Sequence, residues 1–345
     1  MSNAKIICTV GPASEKPDVL EAMITAGMNI ARLNFSHGTH DQHQQRLDVI
    51  RKLSGDMGRE VRILADLEGL RIRIGDFKDK TRTAIKIKPK QIVTLSNQDM
   101  ADQSEIIPLD YHGSLMVINP DDFIYIDDGN IALKVIDVTE QSVRCEVVIA
   151  GDIKEHKGIN IPNADFPSQG LTKKDRRDLE FAIKNKVDFI AQSFVREKRD
   201  ITIIGEVMAE NNFECQLVSK IENKDGVKNL AEIIDVSDGI MIARGDLGVS
   251  LPIYEIPILQ KKIIRICLQN KKIAITATQM LESMTENLRP TRAEVSDVAN
   301  AVLDGTDYVM LSGETAVGKY PVETVAMMQK VIDYTEQSEN NFDHF

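Results

Sequence analysis

This chain of 345 residues lacks several features that mark other protein classes. It has only four cysteines and no CxxC pair, which argues against a zinc site or a disulfide framework and favours buried free thiols. No apolar run approaches the roughly 20 residues that a membrane helix needs, and no signal peptide precedes the first strand-like segment. The formal net charge of −11 argues against general nucleic-acid binding, because affinity for phosphate backbones comes mainly from Lys and Arg. We therefore expect a cytoplasmic protein that binds neither nucleic acid nor membranes.

Two phosphate-binding motifs and a histidine metal site are not supported either. No G-x-G-x-x-G dinucleotide motif occurs. Gly313–Lys319 reads G-x-x-x-x-G-K, but Tyr320 stands where a P-loop has the Ser or Thr that binds magnesium, so we interpret this stretch as an ordinary loop. The spacing of His37, His40 and His43 favours a solvated helix start over a metal-binding stripe.

The chain does contain a regular alternation of strand-like and helical segments. Near-continuous apolar, β-branched runs are typical of parallel strands that are buried on both faces. Eight such runs occur at Lys5–Val10, Asn29–Leu33, Val61–Asp66, Val187–Ala191, Gln216–Ile221, Gly239–Ala243, Lys272–Ala277 and Tyr308–Leu311. Helix-start signals include Pro17 and Pro321 at first-turn positions, and Thr172 and Thr291 at N-cap positions. Eight strand–helix units predict an α/β fold, a closed (β/α)8 TIM barrel.

The alternation is interrupted once, between residues 71 and 166. This stretch carries short alternating segments at Ile85–Ile87, Ile92–Leu95, Phe123–Ile126, Ile131–Val138 and Ser142–Ala150, with turn clusters such as Asp127-Asp128-Gly129 between them. It predicts a small all-β domain inserted after barrel strand 3. The predicted domains are the catalytic barrel, 1–70 and 167–345, and an inserted β-barrel lid, 71–166. A lid on two linkers can close over a barrel mouth and exclude water.

Polar residues follow the ends of seven predicted barrel strands, where barrel enzymes place their chemistry. They are Arg32, Asn34, Ser36, Asp66, Gln192, Ser193, Lys220, Glu222, Arg244, Asp246, Thr276, Thr278, Ser312 and Glu314. Lys220 and Glu222 are two apart and share a face of their strand. Glu222 and Asp246, on neighbouring strands, suit Mg²⁺, and Lys220 suits a phosphoryl group in transfer. Each also has a structural alternative: an ion pair for Lys220 with Glu222, and a turn residue for Asp246.

Several ordered segments are similar to those of one family. They are Cys8–Ser14 (CTVGPAS), Asn29–His40 (NIARLNFSHGTH), Lys157–Pro162 (KGINIP), Val218–Gly226 (VSKIENKDG), Ala243–Gly248 (ARGDLG), Ala277–Met284 (ATQMLESM), Arg289–Gly305 (RPTRAEVSDVANAVLDG) and Leu311–Ala316 (LSGETA). On these segments the chain resembles the pyruvate kinase family over almost its whole length. The resemblance implies phosphoryl transfer from phosphoenolpyruvate to ADP, giving pyruvate and ATP, with Mg²⁺ or Mn²⁺ as the divalent ion.

The resemblance also implies roles for matching positions. The catalytic residues would be Lys220, Thr278, Arg32 and Arg73. The substrate-binding residues would be Ala243, Arg244, Gly245, Asp246, Ser193 and Thr278. The nucleotide-binding residues would be Pro12, Arg32, Asn34, His37 and Lys157. The ligands of the divalent metal would be Glu222 and Asp246.

One departure from the family pattern concerns potassium. Many family members hold this ion at positions equivalent to Asn34, Ser36, Asp66 and the carbonyl of Leu67. Those members carry an acidic residue where this chain has Arg71. Its fixed guanidinium can replace the positive charge of the ion, so we expect that potassium is not required.

A second departure lies after the last predicted barrel helix. The chain stops at Phe345, where the family commonly continues into a C-terminal domain that binds an allosteric sugar phosphate. We expect no fructose-bisphosphate activation by the usual route, and a homodimer formed through barrel surfaces. Two alternatives stay open: a barrel lyase or aldolase that acts on pyruvate-type enolates, and a non-catalytic protein that kept the fold.

Overall fold

The computed structural model describes residues 4–98, 106–127, 129–164, 166 and 170–339. Asp128 in a predicted turn, residues 167–169 at a predicted domain boundary, and Phe345 lie outside these residues. The contacts divide the chain into two compact units. The first takes in the described residues of Met1–Gly69, Gly170–Arg244 and Tyr254–Phe345, and the second takes in those of Leu70–Gln169 and Gly245–Ile253.

The secondary structure alternates between strand and helix at both ends of the chain. The first elements are β1 (Lys5–Thr9), α1 (Pro17–Ala26), β2 (Met28–Asn34), α2 (His40–Met57) and β3 (Arg62–Leu67). Eight short strands follow: β4 (Ile85–Lys86), β5 (Ile92–Ser96), β6 (Ile106–Pro108), β7 (Phe123–Ile126), β8 (Ile131–Val138), β9 (Ser142–Ile149), β10 (Asp152–Ile153) and β11 (Ile159–Asn160).

The chain then resumes its strand–helix alternation. The elements are α3 (Lys173–Lys184), β12 (Phe189–Gln192), α4 (Lys198–Glu210), β13 (Gln216–Ile221), α5 (Lys224–Lys228), α6 (Leu230–Asp235), β14 (Gly239–Ala243), α7 (Arg244–Ser250), α8 (Ile256–Gln269), β15 (Ile273–Ala277), α9 (Arg292–Leu303), β16 (Tyr308–Leu311), α10 (Gly313–Ala316) and α11 (Pro321–Glu339). Short 3₁₀ turns occur at Ile253–Glu255 and Glu282–Thr285. Among the helices described, none is long and apolar enough to cross a membrane.

Eight parallel strands of the first unit close into a barrel, in the order β1-β16-β15-β14-β13-β12-β3-β2. The seam joins the first and last strands, with Lys5 beside Tyr308 and Cys8 beside Leu311. All eight predicted runs coincide with barrel strands, with ends that differ by at most two residues. The predicted (β/α)8 barrel is therefore confirmed, because strands buried on both faces leave an unmistakable apolar pattern.

Capping residues start the helices where the sequence signals them. The Thr172 side chain accepts a hydrogen bond from the Asp175 N–H, and Thr291 forms a reciprocal capping box with Glu294. Pro17 is the first residue of α1. These helices begin at the carboxyl ends of strands, so each cap also fixes the direction of a loop at that end of the barrel.

The second unit is built mainly from antiparallel sheet, with one parallel pair between β5 and β6, and has its own apolar core. One sheet has six strands in the order β11-β7-β8-β9-β5-β6, and β10 pairs with β4. Its core includes Ile74, Leu95, Ile107, Leu133 and Val143, all of which are fully buried or nearly so. Residues 245–253, which the sequence assigns to the barrel, belong to this unit. The strands missed by the sequence, β6, β10 and β11, have only two or three residues and so show no alternation.

Candidate active site

The pleat of the barrel strands decides which side chains reach the carboxyl end of the barrel interior. Buried apolar residues, including Ile30, Leu64 and Val218, fill the interior in one cluster. Side chains two residues further along a strand point to the same side. Two residues beyond those three apolar positions stand Arg32, Asp66 and Lys220, and Ser193 stands two beyond the interior residue Ala191.

Asp66 lies at the centre of this buried polar group. Its Oδ2 atom is 2.7 Å from the Arg32 Nε atom, and its Oδ1 atom is 3.1 Å from the Lys220 Nζ atom. Arg32 also donates a hydrogen bond of 2.8 Å to the Thr9 hydroxyl on β1. Side chains on three neighbouring barrel strands, β1 to β3, are thus linked to Lys220 on β13.

The opposite charges of Asp66 and Lys220 stabilise each other against the cost of burial. Burial alone would raise the pKa of Asp66, but the Lys220 ammonium and the Arg32 guanidinium outweigh it and hold that pKa below its ordinary value. Burial would lower the pKa of Lys220, and the carboxylates of Asp66 and Glu222 instead raise it. Lys220 is therefore a fixed positive charge in the barrel mouth at neutral pH.

Glu222 and Ser193 complete the surroundings of the Lys220 ammonium. The Glu222 Oε1 atom lies 3.2 Å from Lys220 Nζ, and Glu222 Oε2 accepts a hydrogen bond of 2.7 Å from the Phe194 N–H. The Ser193 hydroxyl oxygen lies 2.6 Å from Lys220 Nζ. The side-by-side projection of Lys220 and Glu222 that the sequence predicts is present, and it includes the ion pair named as the structural alternative.

A cavity of about 530 Å³ lies beside this group in the same unit. All four barrel residues predicted to bind nucleotide line it: Pro12, Arg32, Asn34 and His37. Other lining residues come from the segments after β1, β2 and β16, including Gln42 in the first turn of α2 and Gly313 at the start of α10. Within this cavity, an anionic ligand would meet the guanidinium of Arg32 and the start of α10.

Thr278 and Arg244 form a second, adjoining arrangement after β14 and β15. Thr278 has a φ of 65°, a conformation that a β-branched residue adopts only under strain. Arg244 Nη2 donates a hydrogen bond of 2.8 Å to the Thr278 carbonyl, and its Nη1 pairs with the Asp297 carboxylate at 2.6 Å. The Arg244 side chain therefore supports the strained Thr278 loop.

Two predicted site residues of the second unit, Arg73 and Lys157, lie on two paired segments. Arg73 and Gly158 form an antiparallel bridge, and Arg73 Nη1 donates a hydrogen bond of 2.9 Å to the His156 carbonyl. Lys157 pairs with Asp127 at 2.6 Å. The arrangement gathers cationic side chains on one ladder, which suits an anionic ligand.

Arg71 and Asp246 form an ion pair within the same unit. Arg71 Nη2 lies 2.9 Å from Asp246 Oδ1. A Cβ atom at Gly158 would lie 2.3 Å from Arg71 Nε, so only glycine lets the guanidinium pack this closely on the ladder. Asp246 stands in helix α7 rather than on a barrel strand, which corrects the expectation that Glu222 and Asp246 lie on neighbouring strands.

Sequence reasoning missed Lys174, which holds a loop of the barrel. Its ammonium donates to the Phe35 carbonyl, between Asn34 and Ser36, and lies 2.7 Å from Asp178 Oδ2 and 3.3 Å from Glu68 Oε2. The i,i+4 spacing of Lys174 and Asp178 on α3 was the available signal. The contact of Lys174 with the Phe35 carbonyl joins segments that are distant in sequence. It forms only when the barrel closes, so a local sequence pattern does not predict it.

The prediction of a solvated helix start at the three histidines is wrong for His43. This side chain is 1% exposed, and its ring packs against Phe35 with centroids 4.5 Å apart. Burial lowers the pKa of His43 to about 4, so the ring is neutral and its Nε2–H donates to the His37 carbonyl at 2.9 Å. His43 packs within the core, and it holds the turn that carries His37.

The first unit is thus a (β/α)8-barrel protein with a buried ammonium, guanidinium and two carboxylates at the carboxyl ends of its strands. A family model described as pyruvate kinase, barrel domain, matches residues 1–325. Pyruvate kinases of Staphylococcus aureus strains USA300, NCTC 8325 and COL are each 44% identical over 342 residues, which is 99% of this chain and 58% of theirs. The chain spans less than two thirds of the length of these curated relatives. It belongs to the pyruvate kinase family.

Proposed function

We propose that this chain transfers the phosphoryl group of phosphoenolpyruvate to ADP, giving pyruvate and ATP. The observation that carries the proposal is the buried group of Arg32, Asp66, Lys220 and Glu222 at the carboxyl end of the barrel. Charge of both signs is fixed there by the fold. Phosphoryl transfer depends mainly on positioning and electrostatic stabilisation, which this arrangement supplies.

Lys220 stabilises the charge that develops on the phosphoryl group in this proposal. Lys220 is 7% exposed, and its ammonium stays protonated because Asp66 and Glu222 raise its pKa against the effect of burial. A charge in a water-poor site acts more strongly than one in solvent. The family resemblance assigns Arg32 and Arg73 to contacts with the same phosphoryl group.

Glu222 and Asp246 are the proposed ligands of the divalent ion, Mg²⁺ or Mn²⁺, and the family resemblance alone assigns them to one ion. The donor set fits: both are carboxylates, the oxygen ligands that these ions prefer. Asp246 Oδ1 is buried and accepts no hydrogen bond from the described residues, so it retains capacity beyond its ion pair with Arg71. Held by these two carboxylates, a divalent ion would supply positive charge to offset that of the phosphoryl group.

The remaining proposed contacts follow the substrates. The substrate-binding set is Ala243, Arg244, Gly245, Asp246, Ser193 and Thr278, in which Arg244 acts by holding the Thr278 carbonyl. The strained backbone at Thr278 supports a role near the protonation of the enolate. Pro12, Asn34 and His37 would line the ADP site in the cavity. The family resemblance alone assigns Lys157 to the nucleotide phosphates.

Activity without potassium is part of the proposal. Asp66 already pairs with two internal cations, and Arg71, placed where many relatives have an acidic residue, pairs with Asp246. Turnover should therefore be equal in potassium and tetramethylammonium salts. A many-fold rise in kcat on adding potassium would contradict this expectation.

A cytoplasmic location and a homodimer complete the proposal. Tyr254, in the turn before α8, and Ile258, in the first turn of α8, expose apolar side chains that a partner surface would cover. Light scattering of the purified chain should give the mass of two copies, and the mass of one copy would contradict the dimer.

The decisive experiment measures ATP formation from phosphoenolpyruvate and ADP in a coupled assay with magnesium. The native chain should turn over, and Lys220→Met should lose essentially all kcat while it still binds substrate. Lys272→Met is the matched control, because Lys272 donates to the Ser237 carbonyl just before β15, at the opposite end of the barrel. Turnover by Lys220→Met would refute the assigned role, and no turnover by the native chain would favour a non-catalytic member.

A further inference from the structure

Three side chains of the second unit that can bind a metal ion lie close together outside the site described above. They are Asp76, Glu155 and His156, and one ligand atom of each lies within 4.8 Å of the ligand atoms of the other two. None of the three is among the residues assigned to phosphoryl transfer. The cluster therefore needs an explanation of its own.

Two of these side chains already have the spacing of ligands on one ion. His156 Nε2 lies 3.3 Å from Asp76 Oδ1. Nitrogen and oxygen atoms that bind a tetrahedral zinc ion at about 2.0 to 2.2 Å lie roughly 3.3 Å from each other. An ion held between His156 and Asp76 therefore needs little movement of either side chain.

The backbone brings Glu155 and His156 to the same cluster although they are adjacent in sequence. Consecutive side chains of an extended strand point to opposite faces, but His156 has a φ of 62°, which breaks that alternation. The His156 N–H donates to the Ile74 carbonyl at 2.9 Å, and Glu155 Oε1 accepts a hydrogen bond from the Phe77 N–H. Both residues are thus tied to the segment that carries Asp76.

Lys80 supplies the positive charge beside this cluster in the structure. Its Nζ atom lies 3.7 Å from Asp76 Oδ1 and 3.6 Å from Glu155 Oε1. These distances are longer than those of charge-assisted hydrogen bonds, and the Lys80 side chain is 68% exposed, so each pairing is weak. A divalent ion carries twice the charge of the ammonium and can replace it between the two carboxylates.

The donor set selects the kind of ion. An imidazole nitrogen suits zinc and other transition metals, whereas Mg²⁺ prefers oxygen ligands alone. Two carboxylates and one imidazole provide three ligands, and the exposed position of His156 lets water supply the fourth.

We propose that Asp76, Glu155 and His156 form a binding site for a transition-metal dication such as Zn²⁺. An ion bound there joins the segment of Asp76 to the segment of Glu155 and His156 and stabilises the second unit. This inference goes beyond the proposed function and does not depend on it.

Calorimetric titration of the full chain with zinc chloride, in excess magnesium chloride, tests the site. His156→Gln should weaken Zn²⁺ binding at least about tenfold, since loss of a partner that merely orients a ligand already costs that much. His112→Gln is the matched control, because His112 is an exposed histidine of the same unit outside the cluster, and it should bind Zn²⁺ as the native chain does. His156 is itself exposed, so the substitution should leave the fold intact.

Two further variants should change the affinity in opposite directions. Asp76→Asn removes a charged ligand and should weaken Zn²⁺ binding, whereas Lys80→Gln removes the competing ammonium and should strengthen it about two- to fivefold. Lys88→Gln removes the charge of another exposed lysine of the second unit and should leave the affinity unchanged.

The melting temperature gives a second readout that needs no turnover. Zn²⁺ should raise the melting temperature of the native chain and of His112→Gln, but not that of His156→Gln, because an ion that binds the folded state stabilises it. Equal Zn²⁺ affinities of His156→Gln and His112→Gln, or no Zn²⁺ binding by the native chain, would overturn the inference. Failure of the native chain to form ATP would refute the proposed function and leave these binding results unaffected.

Discussion

At the scale of single residues, the energetics of the site depend on Asp66. A buried carboxylate is costly unless it is paired, and this one, 1% exposed, has a cation on each oxygen. Removal of Arg32 or Lys220 would leave a charge without its partner. The stability of the barrel mouth and its chemistry therefore share the same groups.

The pH dependence of stability should show the buried state of His43. Its pKa is about 4 in the folded protein and about 6.5 in an unfolded chain. As the pH falls through this window, the unfolded state gains a proton that the folded state does not, so the free energy of unfolding decreases by up to about 3 kcal/mol. Urea denaturation across the window measures it.

The variant His43→Gln should lose this part of the slope, since glutamine has no ionisable group and keeps a donor for the His37 carbonyl. His112→Gln changes an exposed histidine of the second unit and should retain the native slope. Equal slopes for the native chain and His43→Gln would contradict the buried neutral ring.

The sequence predicts some residue contacts and not others for a physical reason. Side chains two residues apart on an extended strand point to the same side, so the sequence predicts that Lys220 lies beside Glu222. The ion pair of 3.2 Å between them agrees with this prediction. The bond of Lys220 to Ser193 and the reach of Lys174 to Phe35 join residues on different strands. Those contacts exist only after the order of strands is set, and no local pattern contains that order.

At the scale of elements, the loop after β3 is held by a glycine with two separate requirements. Gly69 has a φ of 69°, and a Cβ atom there would also meet the Ser193 carbonyl oxygen. Its N–H donates to Asp175 Oδ1 at 3.1 Å on α3. Burial raises the pKa of Asp175, although Thr172 and this N–H act against it. The loop, the helix start and the end of β12 therefore form one packed element.

The glycine pair Gly69 and Gly58 tests this description. Gly58 has a φ of 60° at the end of α2, but a Cβ atom there would meet no atom of the described residues within 4 Å. Gly58→Ala should lower the free energy of unfolding by about 1 kcal/mol through backbone strain alone. Gly69→Ala should cost at least about 2 kcal/mol more, because the clash is with backbone.

Chemical denaturation of both variants measures the difference. Gly69→Ala should also lower kcat, since displacement of Ser193 turns the Lys220 ammonium, whereas Gly58→Ala should keep it. Equal stability of the two variants would show that the loop can move aside.

The barrel strands are predictable from sequence because they are buried on both faces, whereas three strands of two or three residues in the second unit are not. The ends of the eight barrel strands come out within two residues, and the caps at Thr172 and Thr291 are present. The two-residue strands β10 and β11 form only because a partner segment lies opposite. Their existence is a tertiary property.

At the scale of the whole molecule, the barrel holds its first and last strands side by side. Ile7 on β1 is fully buried between Ile30 and Met310, its register partners on β2 and β16. The interior is packed without polar atoms at this level, so volume lost here cannot be replaced by water without cost.

Ile7→Ala should therefore lower the free energy of unfolding by about 2 to 5 kcal/mol, through lost burial and a cavity at the seam. Ile136→Ala is the matched control, since Ile136 on β8 is 41% exposed and should change stability by less than about 0.5 kcal/mol. Urea denaturation of both variants is the measurement. A small effect of Ile7→Ala would mean that the seam can collapse onto the gap.

The pairing of β1 with β16 has a consequence for synthesis of the chain. A ribosome delivers Lys5 long before Tyr308, its partner in the ladder, so one edge of β1 stays without its neighbour while nearly the whole barrel is translated. An open parallel strand edge is a template for wrong pairing. The nascent polypeptide depends on protection of that edge, by chaperones or by temporary packing of α1. The need ends when β16 is synthesised and pairs with β1 to close the barrel.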